Sequence, residues 1–202
     1  MNISQATTFI PQNRIDEFKS LLKDRLTEKR YLHSLAVADE AARLAEILEA
    51  DVQKMYVAGL LHDICKNETA EQQLQLFSQF GIMLTDIEKA SPSVWHAYSG
   101  ALYIKNVLGI DDEDIISSVR YHTTGKADMT LSEKIIYIAD LTEVNRDYPD
   151  VDVVRALLKD DIDKAIIYVL KYTLKKLVAD NKPIHPNTLD AYNFLVLNSE
   201  DF

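Results

Sequence analysis

Five histidines punctuate this chain, His33, His62, His96, His122 and His185, and two aspartates, Asp63 and Asp140, stand in similar apolar company. The stretch "GLLHDICK", residues 59–66, sets His62 and Asp63 into a hydrophobic run. Aspartate is rarely buried unpaired, and a lone buried carboxylate costs several kcal/mol, comparable to the stability margin of a domain. Something has to compensate: a helix cap, an internal His–Asp hydrogen bond, or a metal ion. Taken singly, each residue has a plainer role. His33 falls on an apolar helical face, where a satisfied core histidine is the commoner outcome. Asp140 ends "KIIYIAD" and could pair with Lys134, Arg146 or solvent. Cys65 carries no cue for a lowered thiol pKa and reads as packing. The ensemble reads differently. Mixed imidazole and carboxylate ligands suit Fe, Mn, Zn or Co rather than Ca or Mg, and a single cysteine excludes a thiolate zinc site.

Helices must carry these residues to one place. His33, Val37, Ala41, Leu44 and Leu48 step by 4, 4, 3 and 4, which predicts an amphipathic helix over 31–48. Asp51 caps the next helix, which delivers the His62–Asp63 pair. Further helices are expected at about 68–79, 95–108, 112–121 and 131–143. Two more follow over about 151–180, with a break near Asp160–Asp161, and one at about 188–197. Gly81, Pro92, Gly109, Gly125, Pro149, Pro183 and Pro186 mark the connectors. The expected fold is all-α, one helical domain over residues 1–202 with no linker dividing it.

Composition narrows the partners. There are 32 acidic and 22 basic residues, a formal charge of −10, which on average repels a DNA or RNA polymer. A phosphate-bearing ligand must therefore be small and held by local cations or a metal. One cysteine rules out an intramolecular disulfide and fits a reducing cytoplasm. The N-terminus, "MNISQATTFIPQNRIDEF", lacks the basic start and apolar core of a secretory signal, and no apolar segment is long enough to span a bilayer.

The pattern His33, His62–Asp63, Asp140 resembles the HD-domain metal-dependent phosphohydrolases. His96 and His122, lying between, mark the branches of that family with room for two metals. The blocks "RYLHSLAVADEAARLA", "AGLLHDICK", "VWHAYSGA", "RYHTTGKADMTLSEKIIYIAD", "NRDYP" and "KPIHPNTLDAYN" are similar to the bacterial YqeK-type symmetrical diadenosine tetraphosphate hydrolase branch. The likeness runs from about residue 25 to 197, with the core motifs at about 25–150 and the helices of about 151–202 closing a nucleotide pocket. Two departures lie in the loop after Asp140. The branch reads Glu-Pro-Asn-Arg and Phe-Pro-Gly where this chain has "EVNR" and "YPDV", through Val144 and Asp150.

The resemblance implies symmetrical cleavage of a nucleotide polyphosphate into two ADP, in the cytoplasm, with a homodimer compatible. It implies two ions, expected to be iron, with Mn, Co or Zn as substitutes. His33, His62 and Asp140 would hold the first and His96 and His122 the second, with Asp63 bridging. Such a cation lowers the pKa of water toward neutrality and stabilises charge on phosphoryl oxygens. Substrate contacts are expected from the same cluster, from Ile64 and Cys65, from Thr123, and from Lys66 on a continued helix. Arg146 would add a forked contact to phosphate. Pro183, Ile184, His185, Pro186, Asn187 and Thr188 would wall the base or ribose. Rival readings are an HD phosphohydrolase acting on a dNTP or a nucleoside monophosphate, a di-iron oxygenase of the same fold, and a module with a structural metal.

Overall fold

Caps and buried stripes set the helix starts. The structure, a computed structural model, describes residues 9–199, so residues 1–8 of the N-terminal stretch read as non-secretory lie outside it. α1 (Gln12–Arg25) is a helix that the sequence reading did not anticipate. Its N-cap is Pro11, without a side-chain cap, so its local start signal is weak; burial of Ile15, Phe18 and Leu22 holds it. α2 (Glu28–Ile47) begins three residues before the expected start because Thr27 caps it, accepting from the Arg30 amide. Asp51 caps α3 (Val52–Leu61) through the Lys54 amide, as its position implied. A capping box of Thr69 and Gln72 opens α4 (Ala70–Gln79). The short α5 (Asp86–Lys89) and a 3-10 turn over Pro92–Val94 lead into α6 (Trp95–Asn106).

α7 (Glu113–Tyr121) and α8 (Leu131–Thr142) follow, then α9 (Val151–Asp160), α10 (Ile162–Ala179) and α11 (Pro186–Leu197). The break between α9 and α10 falls at Asp161, whose extended backbone lets its carboxylate cap α10. No strand occurs among the described residues, and the fold is all-α.

α2 packs along α3 and α8, and α7 lies against α3, α6 and α8. At Gly59 the α2 and α3 backbones touch: a β-carbon there would stand 2.9 Å from Ala38 Cα and 2.9 Å from the Val37 carbonyl oxygen. Lys54 in α3 is buried between Asp112 (3.0 Å) and Asp114 (2.9 Å) at the start of α7, which fixes one helix against the other. Ser117 of α7 donates to Glu133 of α8. α9 and α10 pack on α8 from outside this group. The α-helical ladder of α3 ends at Leu61. Residues 62–68 continue as i→i+3 turns, with Ile64 N donating to Leu61 O (3.1 Å) and Lys66 N to Asp63 O (2.9 Å). Lys66 therefore rides on a tighter turn, not on the continued α-helix expected.

Candidate metal centre

Two helix ends orient two rings in the same way. His62, the C-cap of α3, donates from Nδ1 to the Gly59 carbonyl oxygen (2.7 Å). His122, the C-cap of α7, donates from Nδ1 to the Val119 carbonyl oxygen (2.8 Å). The last carbonyls of a helix lack intrahelical partners, so the helix terminus itself aims each ring. His33, inside α2, sets Nδ1 3.1 Å from Oε1 of the buried Glu143. A carbonyl oxygen can only accept, so in His62 and His122 the proton sits on Nδ1 and the lone pair on Nε2, whereas His33 stands between two carboxylates, Glu143 at Nδ1 and Asp140 at Nε2.

Those lone pairs converge. Ring centroids follow at 5.2 Å from His33 to His62, 5.0 Å from His62 to His122, and 5.1 Å from His122 to His96. Asp140 Oδ1 lies 2.9 Å from His33 Nε2 and 3.9 Å from His62 Nε2. Asp63 faces three of the rings: its Oδ2 is 3.5 Å from His62 Nε2, and its Oδ1 is 3.1 Å from His96 Nε2 and 3.7 Å from His122 Nε2. Three overlapping trios drawn from these six residues each keep their donor atoms within 4.8 Å.

His62 Nε2 is fully buried and has no hydrogen-bond partner. Such an orphan costs about 1–3 kcal/mol. A cation would compensate it, and a histidine whose other nitrogen is held by a carbonyl or carboxylate is the usual form of a metal ligand. The donor set fits a metal ion.

Electrostatics agree. Burial alone would raise the Asp63 carboxyl, but the surrounding imidazoles, His62 foremost, hold it well below the usual carboxylate range. Burial likewise opposes ionisation of Asp140, and His33, His62 and Arg146 outweigh it. His96 is pushed down to about 4, mainly by burial, so it stays neutral and able to ligate. Around the carboxylates stand three cations. Arg30 Nη1 donates to Asp63 Oδ2 (2.8 Å), and Arg146 donates to the Asp140 side chain and to its carbonyl oxygen (2.6 Å). Lys66 Nζ lies 3.0 Å from His96 Nε2 and 3.9 Å from Asp63 Oδ1, with burial lowering its pKa.

Arg30 and Glu143 received no role from the sequence, although each had a signal. Arg30 stands three residues before His33 and Glu143 three after Asp140, a spacing that shares a helical face. Arg25 was missed for the same reason as α1. It bonds Glu68, donates to the Ile64 carbonyl oxygen (3.4 Å) and stacks 4.3 Å over Tyr103, bracing the 62–68 turn.

Two clefts flank the row of rings. One of about 870 Å³ is lined by Arg30, His33, Asn145, Arg146 and Tyr148 among others. A second of about 310 Å³ is lined by Lys66, Glu68, Gln73, Pro92, Trp95 and His96 among others. Ile64 and Cys65 are buried beneath the turn, and burial pushes the Cys65 thiol up to about 12, which suits packing rather than nucleophilic chemistry. The Thr123 hydroxyl is buried without a partner. Pro183 to Thr188 form the α10–α11 junction and line neither cleft. There His185 serves as N-cap, accepting from the Asn187 amide (3.2 Å), with Glu88 3.9 Å away.

Comparison with known proteins gives the same picture. The family model for the HD domain matches residues 30–145. A Bacillus subtilis protein named bis(5'-nucleosyl)-tetraphosphatase, symmetrical, is 39% identical over 91% of this chain and 98% of its own length. A Staphylococcus aureus protein of the same name is 36% identical over 92% of this chain and 96% of its own. A crystal structure from Clostridium acetobutylicum, described as a predicted HD superfamily hydrolase involved in NAD metabolism, superposes with a TM-score of 0.90. It is 37% identical and covers 92% of this chain and 98% of its own.

Proposed function

The chain belongs to the HD domain family of metal-dependent phosphohydrolases, and from that premise we propose that it splits P1,P4-bis(5'-adenosyl) tetraphosphate symmetrically into two ADP. The observation that carries the reading is the buried, unpartnered Nε2 of His62, faced by Asp63 and Asp140. His33, His62 and Asp140 would hold one ion and His96 and His122 a second, with Asp63 within reach of both groups, and iron is the metal we assign. When bound, such cations supply Lewis acidity and make water acidic enough to act as nucleophile near neutral pH.

The chain's own residues do the rest. Arg30, Arg146 and Lys66 bring fixed positive charge to the phosphates, so a protein of formal charge −10 can hold a polyanion locally. Arg146 and Arg30 offer planar forks that match phosphoryl oxygens, and Lys66 a point charge. The Thr123 hydroxyl adds a donor beside His122. Among the described residues no helix is long and apolar enough to cross a membrane.

The test is metal analysis of anaerobically purified protein together with product identification from the dinucleotide. Iron and ADP as the sole nucleotide product are expected. His62→Ala and Asp63→Ala should each lose metal and turnover while keeping most helical circular dichroism. Wild-type metal and turnover in both variants would overturn the site. ATP and AMP as products would overturn symmetrical cleavage, and dioxygen consumption without ADP would make the protein an oxygenase.

A further inference from the structure

A helix ends in carbonyl oxygens that no later amide of the helix reaches, and α8 ends at the candidate metal centre. Asp140 lies in its last turn, and Glu143, its C-cap, meets His33. Two arginines finish this helix. Arg146 Nε donates to the Asp140 carbonyl oxygen (2.6 Å). Arg155, which comes from α9, takes the carbonyls that follow. Its Nε donates to the Thr142 oxygen (3.1 Å) and its Nη2 to the Glu143 oxygen (2.8 Å). The same Nη2 donates to the carbonyl oxygen of Arg146 itself (3.2 Å), while Nη1 is held by Asp152 (3.2 Å) on α9. One guanidinium thus ties three main-chain oxygens between residues 142 and 146 to the neighbouring helix.

The middle of that turn is not packed. Val144 is 82% exposed, and Asn145 is exposed as well. The Asn145 amide donates to Glu143 Oε2 (2.6 Å) and the Arg146 amide to the Glu143 carbonyl oxygen (3.0 Å), which closes the turn on Glu143. Arg155 closes it on α9. A planar guanidinium suits the task because its donors diverge in fixed directions, where an ammonium offers one point of charge. Positive charge is also favoured at a helix C-terminus. Arg155 lines a separate cleft with Arg43, Ile47 and Lys159, and is absent from the lining of the cleft that holds Arg30, His33 and Arg146.

Resting on the hydrolase reading above, in which Arg146 meets the phosphates, we infer that Arg155 is a positioning residue that holds the main chain of Arg146 so that the Arg146 side chain is delivered to the substrate cleft. Its own guanidinium is spent on carbonyl oxygens and does not meet the phosphates. A plain helix cap would stabilise α8 and leave substrate affinity alone. A positioning residue fails together with the residue it positions.

The experiment is a double-mutant cycle at saturating metal, Arg155→Met against Arg146→Met, read as KM for the dinucleotide. Hydrogen exchange of the 142–146 segment is measured alongside, without substrate. Each single variant is expected to raise KM about tenfold, the size of one charge-assisted hydrogen bond. The double variant should be no worse than Arg146→Met, because Arg155 acts through it. Exchange over 142–146 should quicken in Arg155→Met while the rest of α8 keeps wild-type protection. Arg155→Lys retains the charge without the fork and should match Arg155→Met in both readouts. Additive effects, about a hundredfold in the double variant, would reduce Arg155 to an independent role. Unchanged exchange in Arg155→Met, or wild-type KM in Arg155→Lys, equally overturns the positioning role. If the wild type forms no ADP while exchange responds as stated, the hydrolase reading has failed and the hold of Arg155 on the turn stands.

Discussion

Lys66 separates phosphate chemistry from other chemistry at this site. Its ammonium stands 3.0 Å from His96 Nε2 and 3.9 Å from the carboxylate of Asp63, so it sits beside the cluster without being able to ligate a cation. With a polyphosphate bound, that charge would stabilise negative charge gathering on a phosphoryl oxygen in the transition state. Losing one such preorganised contact costs about 2.7–4 kcal/mol, or roughly a hundredfold to a thousandfold in kcat. Lys66→Met keeps the stem and removes the charge. We expect that loss in ADP formation at saturating metal, with metal content equal to wild type by elemental analysis; near-normal turnover would remove Lys66 from the mechanism.

The helices decide where the ligands meet, and α2 against α3 is the decisive pairing. His33 comes from one and His62 from the other, and the backbones touch at Gly59. Gly59→Ala puts a methyl group 2.9 Å from backbone atoms of Ala38 and Val37, which cannot rotate away. Overpacking of this kind costs about 1–3 kcal/mol, and here it also parts His33 from His62. The variant should show a lower chemical-denaturation midpoint and weaker metal binding together; unchanged values for both would show that the helices separate freely.

The same scale explains what could be read from the sequence. That six side chains would cluster was legible because each stands at a helix end or on an apolar stripe, where a polar residue is conspicuous. Asp51 and the break at Asp161 were legible because capping is local chemistry. Arg25 and α1 were not, since Pro11 gives no side-chain cap and the helix is held by tertiary burial. Lys66 reached the site by a route other than the one expected, because the hydrogen-bond ladder tightens after Leu61. The junction of residues 183–188 owes its place to the packing of α11, for example Ala191 against Gly125, where a β-carbon would come within 3.1 Å. No periodicity within 183–188 reports such a contact.

For the molecule as a whole, the cluster is a point where folding and metal loading are linked. Asp63, Asp140 and Glu143 stand close together with four neutral-capable rings inside a helical core. A ligand that binds only the folded chain stabilises it by about 2.7 kcal/mol at a hundred times its Kd. For a chain of this size each kcal/mol moves Tm by roughly 2–4 °C. Removing the metal with a chelator should therefore lower Tm by roughly 5–10 °C, measured by calorimetry, with reversal on adding metal back. An unchanged Tm would mean that the cluster holds no ion in the purified protein.

The histidines differ in what keeps them aimed. His62 and His122 lean on the main-chain oxygens of Gly59 and Val119, whereas His33 leans on the side chain of Glu143. A main-chain oxygen is present whatever residue the gene encodes, so no change of side chain at 59 or 119 deletes the anchor of either ring. Glu143 can be lost by one codon. Inheritance thus protects the two sides of the site unequally: the α3 and α7 histidines keep their aim through sequence drift, and the α2 histidine depends on a single acidic residue being passed on intact.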